Sequence, residues 1–156
     1  MENKMSYAQL YLRIALGVGF LVPGLDRLGV WGPNGLPYVS WGDWSHFSAY
    51  AHKVMYFLPY KLAEVFAMLA TAGEVGFGAL LLVGFFTRWA AIGAGLLTLC
   101  FALSMTAAFG IVSPINYSVF AFSAGSFMLS TMPQYRWSID AWRQRSAREH
   151  SITSKA

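Results

Sequence analysis

The chain has 156 residues, of which 56% are hydrophobic, 17% aromatic and only 12% charged, and its formal net charge is +4. Soluble domains carry about 25% charged residues and about 45–50% apolar ones. This composition therefore leaves too little polar surface to cover a water-facing core, which excludes an ordinary soluble enzyme.

The first apolar segment, residues 7–28, carries Arg13 near one end and Asp26 and Arg27 near the other. A cleaved signal peptide is the competing reading. However, Pro23-Gly24-Leu25-Asp26 offers no small-x-small site, and a strong base sits inside the segment, so it is expected to be retained as a span. Pro23 is expected to kink it and free a backbone carbonyl near Asp26.

Residues 29–59 follow as a long outer segment. Its beginning, 31–37, is rich in turn residues. Its second half places Phe47, Tyr50, Ala51, Val54 and Leu58 at helical spacing behind Asp43 or Ser45 as N-cap, which predicts a short helical lid. The next apolar segment, 61–86, is interrupted between Val65 and Phe86 only by Glu74.

Residues 89–135 contain no Asp, Glu, Lys, Arg or His. As one helix they would measure roughly 70 Å, about twice the hydrocarbon thickness, so they must fold back. The turn falls at 110–114, where Gly110 and Pro114 bracket it. Spans at 89–109 and 114–132 result, followed by a basic tail, 133–156. In that tail Trp137, Ile139 and Trp142 are expected to face lipid, and the end beyond Ser146 is expected to fray. The predicted fold is all-α: one domain over 1–156, a polytopic four-transmembrane-helix bundle with a helical lid in its first extracytoplasmic loop.

Basic residues set the orientation. Lys4, Arg88, Arg136, Arg143, Arg145, Arg148 and Lys155 fall on one side, and only Lys53 and Lys61 on the other. The positive-inside rule places both termini in the cytoplasm, at a bacterial inner membrane. The net charge is thus topological, and no nucleic-acid partner is expected. Small residues at Gly17 and Gly24, Ala72 and Gly76, and Ala91 and Gly95 predict close helix packing within the bundle, with a homo-oligomer as the other use of such pairs.

Ionisable groups carry the chemistry. A charge at the bilayer centre costs at least about 2.5–3.5 kcal/mol, so it faces the bundle and finds a partner. Counted from the span ends, Arg13 and Glu74 lie one turn apart in depth, which predicts an Arg13–Glu74 pair. Arg13 snorkelling to the headgroups is the alternative. Glu74 reads equally as a structural ion pair and as a proton or ligand site. Towards the outer face Asp26, Arg27 and Glu64 lie level, with Arg27–Glu64 as a second expected pair. Trp41, Trp44, His46, Tyr50 and His52 gather around the same mouth. Such a mouth suits a quinone headgroup or another amphipathic ligand, while an aromatic belt is the plainer reading.

Cys100 is the only cysteine, which removes an intrachain dithiol relay. No His lies in a span, which removes bis-His haem ligation. His46 and His52, six apart, make a poor metal pair, and no metal is expected.

Several short motifs together resemble the DoxX/DoxD family over roughly 7–132. They are Arg13-Ile14-Ala15-Leu16-Gly17 with Gly24-Leu25-Asp26-Arg27-Leu28, the Trp41/Trp44/Phe47 loop closed by Leu58-Pro59, the run from Glu74-Val75-Gly76 into Thr87-Arg88-Trp89, and Ser113-Pro114-Ile115-Asn116. The resemblance implies a four-helix membrane fold. The family's name-giving members are subunits of a thiosulfate:quinone oxidoreductase, and others associate with oxidative-stress systems or act as assembly factors. It further implies that Arg13 and Glu74 correspond to a recurring Arg and Glu, and that Arg27 stands where many relatives have Lys. The expected function is a membrane subunit of a redox system binding non-covalent quinone, with a soluble or membrane redox partner and contacts to lipid. Whether it is itself an enzyme is open. The alternative is a non-enzymatic scaffold, assembly factor or small-solute handling protein. A proton-coupled transporter is disfavoured because no inverted repeat is visible.

Overall fold

A computed structural model describes the backbone of residues 2–153 and the side chains of residues 5–146. Expectations about the side chains of Lys4, Arg148 and Lys155 lie outside those described; the fraying expected from Ser146 onward is not what the backbone shows, since α7 stays helical to Thr153, and residues 154–156 lie outside the described backbone. Among the described residues seven helices are formed: α1 (Glu2–Asp26), α2 (Trp44–Val54), α3 (Tyr60–Val83), α4 (Thr87–Phe109), α5 (Val112–Asn116), α6 (Val119–Ser130) and α7 (Ile139–Thr153). Three stretches among the described residues are long and apolar enough to cross a membrane: Met5–Asp26, Tyr60–Val83 and Thr87–Phe109. The protein is therefore an all-α, polytopic membrane bundle. Its outer faces carry the apolar side chains that lipid requires, such as Tyr11, Val18, Leu69, Trp89 and Leu103.

The bundle closes as a ring, α1 on α3, α3 on α4, α4 on α6 and α6 on α1, with α2 resting on α3 and α4. Its core is built from Leu16, Phe20, Leu81, Ala90, Ala91, Ala94 and Leu129. The expected single span 114–132 is instead divided. α5 ends at Asn116, Ser118 takes a left-handed conformation (φ 55), and α6 then runs for 12 residues. Alone α6 spans about 18 Å, short of the hydrocarbon thickness of about 30 Å. Pro114 lies inside α5, a turn earlier than the break.

Gly17 and Gly78 set the register between α1 and α3. A Cβ on Gly78 would stand 3.0 Å from the Gly17 carbonyl oxygen and 3.0 Å from the Leu21 nitrogen, both backbone atoms that cannot swing aside. Gly95 likewise meets the Phe127 ring, and Gly24 meets Val75. Ala72 and Gly76 differ from expectation: both are exposed, and nothing lies within 4 Å of a Cβ on Gly76. Gly78→Ala is accordingly expected to destabilise by about 1–3 kcal/mol through overpacking. Gly76→Ala should stay within about 0.5 kcal/mol or gain slightly from helix propensity. Denaturant unfolding in micelles measures both, and equal effects would remove the assigned register.

Candidate functional site

Glu74 is 5% exposed and Arg27 is 7% exposed, and the two form the buried ion pair of the bundle. Arg27 Nη2 donates to Glu74 Oε1 at 3.0 Å, and Nη1 lies 2.9 Å from Oε2. Nη1 also donates to Thr71 Oγ1 at 3.1 Å, while the Thr71 hydroxyl donates to the Ala67 carbonyl at 3.0 Å. Thr71 is three residues before Glu74 and so shares its face of α3. The guanidinium is covered from the other side by the Phe47 ring, 3.8 Å from its centroid, a cation–π contact supplied by α2.

The predicted Arg13–Glu74 pair is not formed. Gly17 opposes Gly78, so Arg13 lies four residues towards the α7 end of the bundle and Glu74 four residues towards the α2 end. That separates them by about 12 Å along the axis, and Arg13 comes level with the α3–α4 turn. There its Nη2 donates to the Trp137 carbonyl at 2.7 Å. Counting depth from assumed span ends failed because α1 begins at Glu2 and close packing of the glycines shifts the register. Arg13 is 2% exposed, so protein encloses its guanidinium at that end of the bundle.

The predicted Arg27–Glu64 pair is absent as well. Glu64 faces α2 and accepts from Trp44 Nε1 at 2.7 Å and Ser48 Oγ at 2.6 Å, with His52 Nε2 at 3.1 Å. His52 in turn stacks on Tyr60, with ring centroids 4.0 Å apart. Asp26 turns towards the loop before α2 and accepts from the backbone N–H groups of Ser40 at 3.0 Å and Trp41 at 2.8 Å. These two carboxylates thus fasten the loop and α2 onto α1 and α3. Asp43 is the N-cap of α2, its Oδ1 accepting from the His46 N–H at 2.9 Å. The His46 N–H, the Ser45 hydroxyl and the His46 ring hold its carboxyl well below the usual range. The cap is therefore complete above that range and is lost only as pH falls below it. His46 is exposed and directed at Asp43, away from the bundle.

Beneath α2, between α3 and α4, lies a cavity of about 480 Å³. Arg27, Phe47 and Tyr50 line its inner side, while Phe66, Cys100 and Met105 belong to its apolar wall. Phe66 and Cys100 are exposed, so the cavity opens sideways onto the lipid-facing surface. Trp41 meets Phe47 edge to face and Tyr50 at a tilt, bracing this wall, and Trp44 packs edge to face on Phe47. Of the residues expected at the mouth, Arg27 and Tyr50 reach the cavity, whereas Asp26, Glu64, Trp41, Trp44 and His46 do not line it. Phe47 and Thr71 were missed as polar-site components. Thr71 was legible from its i−3 spacing to Glu74, but nothing in the sequence signals a ring above a guanidinium. Among the described residues no three His, Cys, Asp or Glu side chains stand together as metal ligands.

A family model described as DoxX matches residues 8–109. No curated protein and no solved structure matches the chain.

Proposed function

The chain belongs to the DoxX family, and from that premise we propose that it is the membrane subunit of a redox system that binds a quinone in the cavity beneath α2. In this reading α5 and α6 together make a fourth crossing, and residues 1–156 form one domain in a bacterial cytoplasmic membrane with both termini inside. The α2 end of the bundle then faces outward, with α2 as the lid. Family membership and a membrane helix bundle support the general redox role.

One observation carries the choice of ligand. The cavity is walled by apolar and aromatic side chains, opens towards lipid, and has at its closed end a guanidinium whose charge is already met by Glu74. A cavity of this size matches those that hold small cofactors. A compensated guanidinium favours a neutral hydrogen-bond acceptor over an anion, because an anion would leave the site with an unmatched charge. A quinone carbonyl has that character, with Tyr50 as a second donor and the isoprenoid tail extending past Phe66 into the bilayer.

The test is ubiquinone or menaquinone added to the purified protein in micelles. Wild type should be stabilised thermally and should retain quinone through gel filtration. Cys100→Phe, which fills the cavity from its exposed wall, should lose both effects with the same melting temperature before addition. Absence of any wild-type shift, with no quinone in the extract, would overturn the reading. A non-enzymatic scaffold or assembly factor is favoured by one observation, that Asp26 and Glu64 both hold α2 in place. It requires no quinone, so the same experiment separates the two.

A further inference from the structure

At the opposite end of the bundle α7 is latched onto the α3–α4 turn. Gly84 ends α3 with a left-handed conformation (φ 69), and its carbonyl accepts from the Asp140 N–H at 3.0 Å. Asp140 Oδ1 accepts from the Phe86 N–H at 3.0 Å and Oδ2 from the Thr87 N–H at 2.8 Å, at the start of α4. The carboxylate therefore lies on the positive end of the α4 dipole. Arg13 holds the Trp137 carbonyl, and the Trp137 indole stacks on Tyr7 at 5.4 Å.

Because Asp140 is used in this way, the charge left among the described side chains around α7 is positive. Arg88, Arg143 and Arg145 are exposed there. Between them lie exposed apolar groups: Trp137 at 54%, Ile139 at 40% and Trp142 at 69%. Two grooves of about 480 Å³ each flank the helix. One is lined by Val83, Trp137, Ile139, Trp142 and Arg145, and the other by Phe86, Trp89, Met132, Arg88 and Arg143. Val83 and Trp89 belong to the ends of α3 and α4, so both grooves continue the lipid-facing surface of the spans. Each thus joins an apolar floor to an arginine rim at the level where Trp and basic residues meet headgroups. Arg143 also lies over the rings of Phe85 and Phe86, at 5.6 and 5.9 Å, which directs its guanidinium along the rim.

We propose that each groove beside α7 binds an anionic glycerophospholipid, its phosphate held by Arg145 in the first groove and by Arg88 and Arg143 in the second, with acyl chains lying against Trp137 and Trp142 or against Phe86 and Trp89 at the ends of α3 and α4. Charge complementarity selects the occupant. A zwitterionic lipid could lie on the same apolar floor, but its cationic group would meet the arginine rim unfavourably. A soluble anion would use the rim and leave the aromatic floor wet.

The experiment uses the full-length protein in a neutral detergent with dioleoyl-phosphatidylglycerol, dioleoyl-phosphatidylcholine or inorganic phosphate added. Phosphatidylglycerol should raise the melting temperature by several degrees and remain bound in native mass spectra, and the other two should do neither. The pair Arg143→Gln/Arg145→Gln should weaken phosphatidylglycerol binding by about tenfold or more, since each surface base contributes roughly a fivefold factor. Should that variant melt early without lipid, Arg145→Gln with Trp142→Ala, both on exposed positions, carries the same expectation. Equal stabilisation by phosphatidylcholine, reproduction of the shift by phosphate, or unchanged lipid preference in the folded variants would each overturn the site.

Discussion

Glu74→Gln is expected to lower the stability of the folded protein by about 3–5 kcal/mol, because it leaves the Arg27 guanidinium buried without its counter-charge. The amide can still accept from Nη2, so the lost quantity is the charge rather than the bond. Arg27→Met should destabilise for the mirrored reason, leaving an unpaired carboxylate 5% exposed. The combined change Arg27→Met/Glu74→Leu should recover most of the loss, since replacing a whole buried pair by apolar groups is often neutral. A double-mutant cycle in micelles measures the coupling. The decisive contrast is Arg13. Arg13→Met removes a bond to the Trp137 carbonyl and should add independently to Glu74→Gln, because the two residues share no partner. Strong coupling of Arg13 with Glu74, and none with Arg27, would contradict the register set by Gly17 and Gly78.

Glu64→Ala should release α2. Three donors, from Trp44, Ser48 and His52, converge on this carboxylate, and all three belong to α2. Hydrogen bonds to a charged group contribute about 1.5–3 kcal/mol each and are not additive when they share an acceptor. The local opening of α2 should therefore become easier by on the order of 3 kcal/mol, seen as roughly hundredfold faster hydrogen exchange at the amides of residues 48–54. The bundle itself should melt nearly as before, since its core lies elsewhere. His46→Ala touches only Asp43 and should leave exchange in the rest of α2 almost unchanged. If α2 amides in Glu64→Ala stayed as protected as in wild type, the packing of Phe47, Ala51 and Ala67 alone would be what holds it. In the quinone reading, the same Glu64→Ala change would also weaken ligand retention, because Phe47 and Tyr50 leave with α2.

Much of this was readable from residue order. The uncharged stretch 89–135 had to fold back, since its helical length is about twice the hydrocarbon thickness. Gly110 does end α4, and Asp43 does cap α2, because both act within one turn of their own position. Ala91 and Gly95 are both buried, as their spacing predicts, with Gly95 against the Phe127 ring of α6. Ala72 with Gly76 had the same spacing and faces outward. A small-xxx-small pair marks a stripe on one helix without saying which neighbour, if any, comes to it.

Residue order alone establishes a membrane helix bundle with a few ionisable groups needing partners inside it, because composition, apolar length and the cost of buried charge are properties of single segments. Which partners they take depends on how the helices pack. Glu74 meets Arg27 rather than Arg13, and Glu64 meets α2 rather than Arg27, because backbone contact at Gly17 and Gly78 slides α1 along α3. A slide of a few residues leaves every segment's hydrophobicity unchanged, yet moves a side chain by more than the reach of an ion pair.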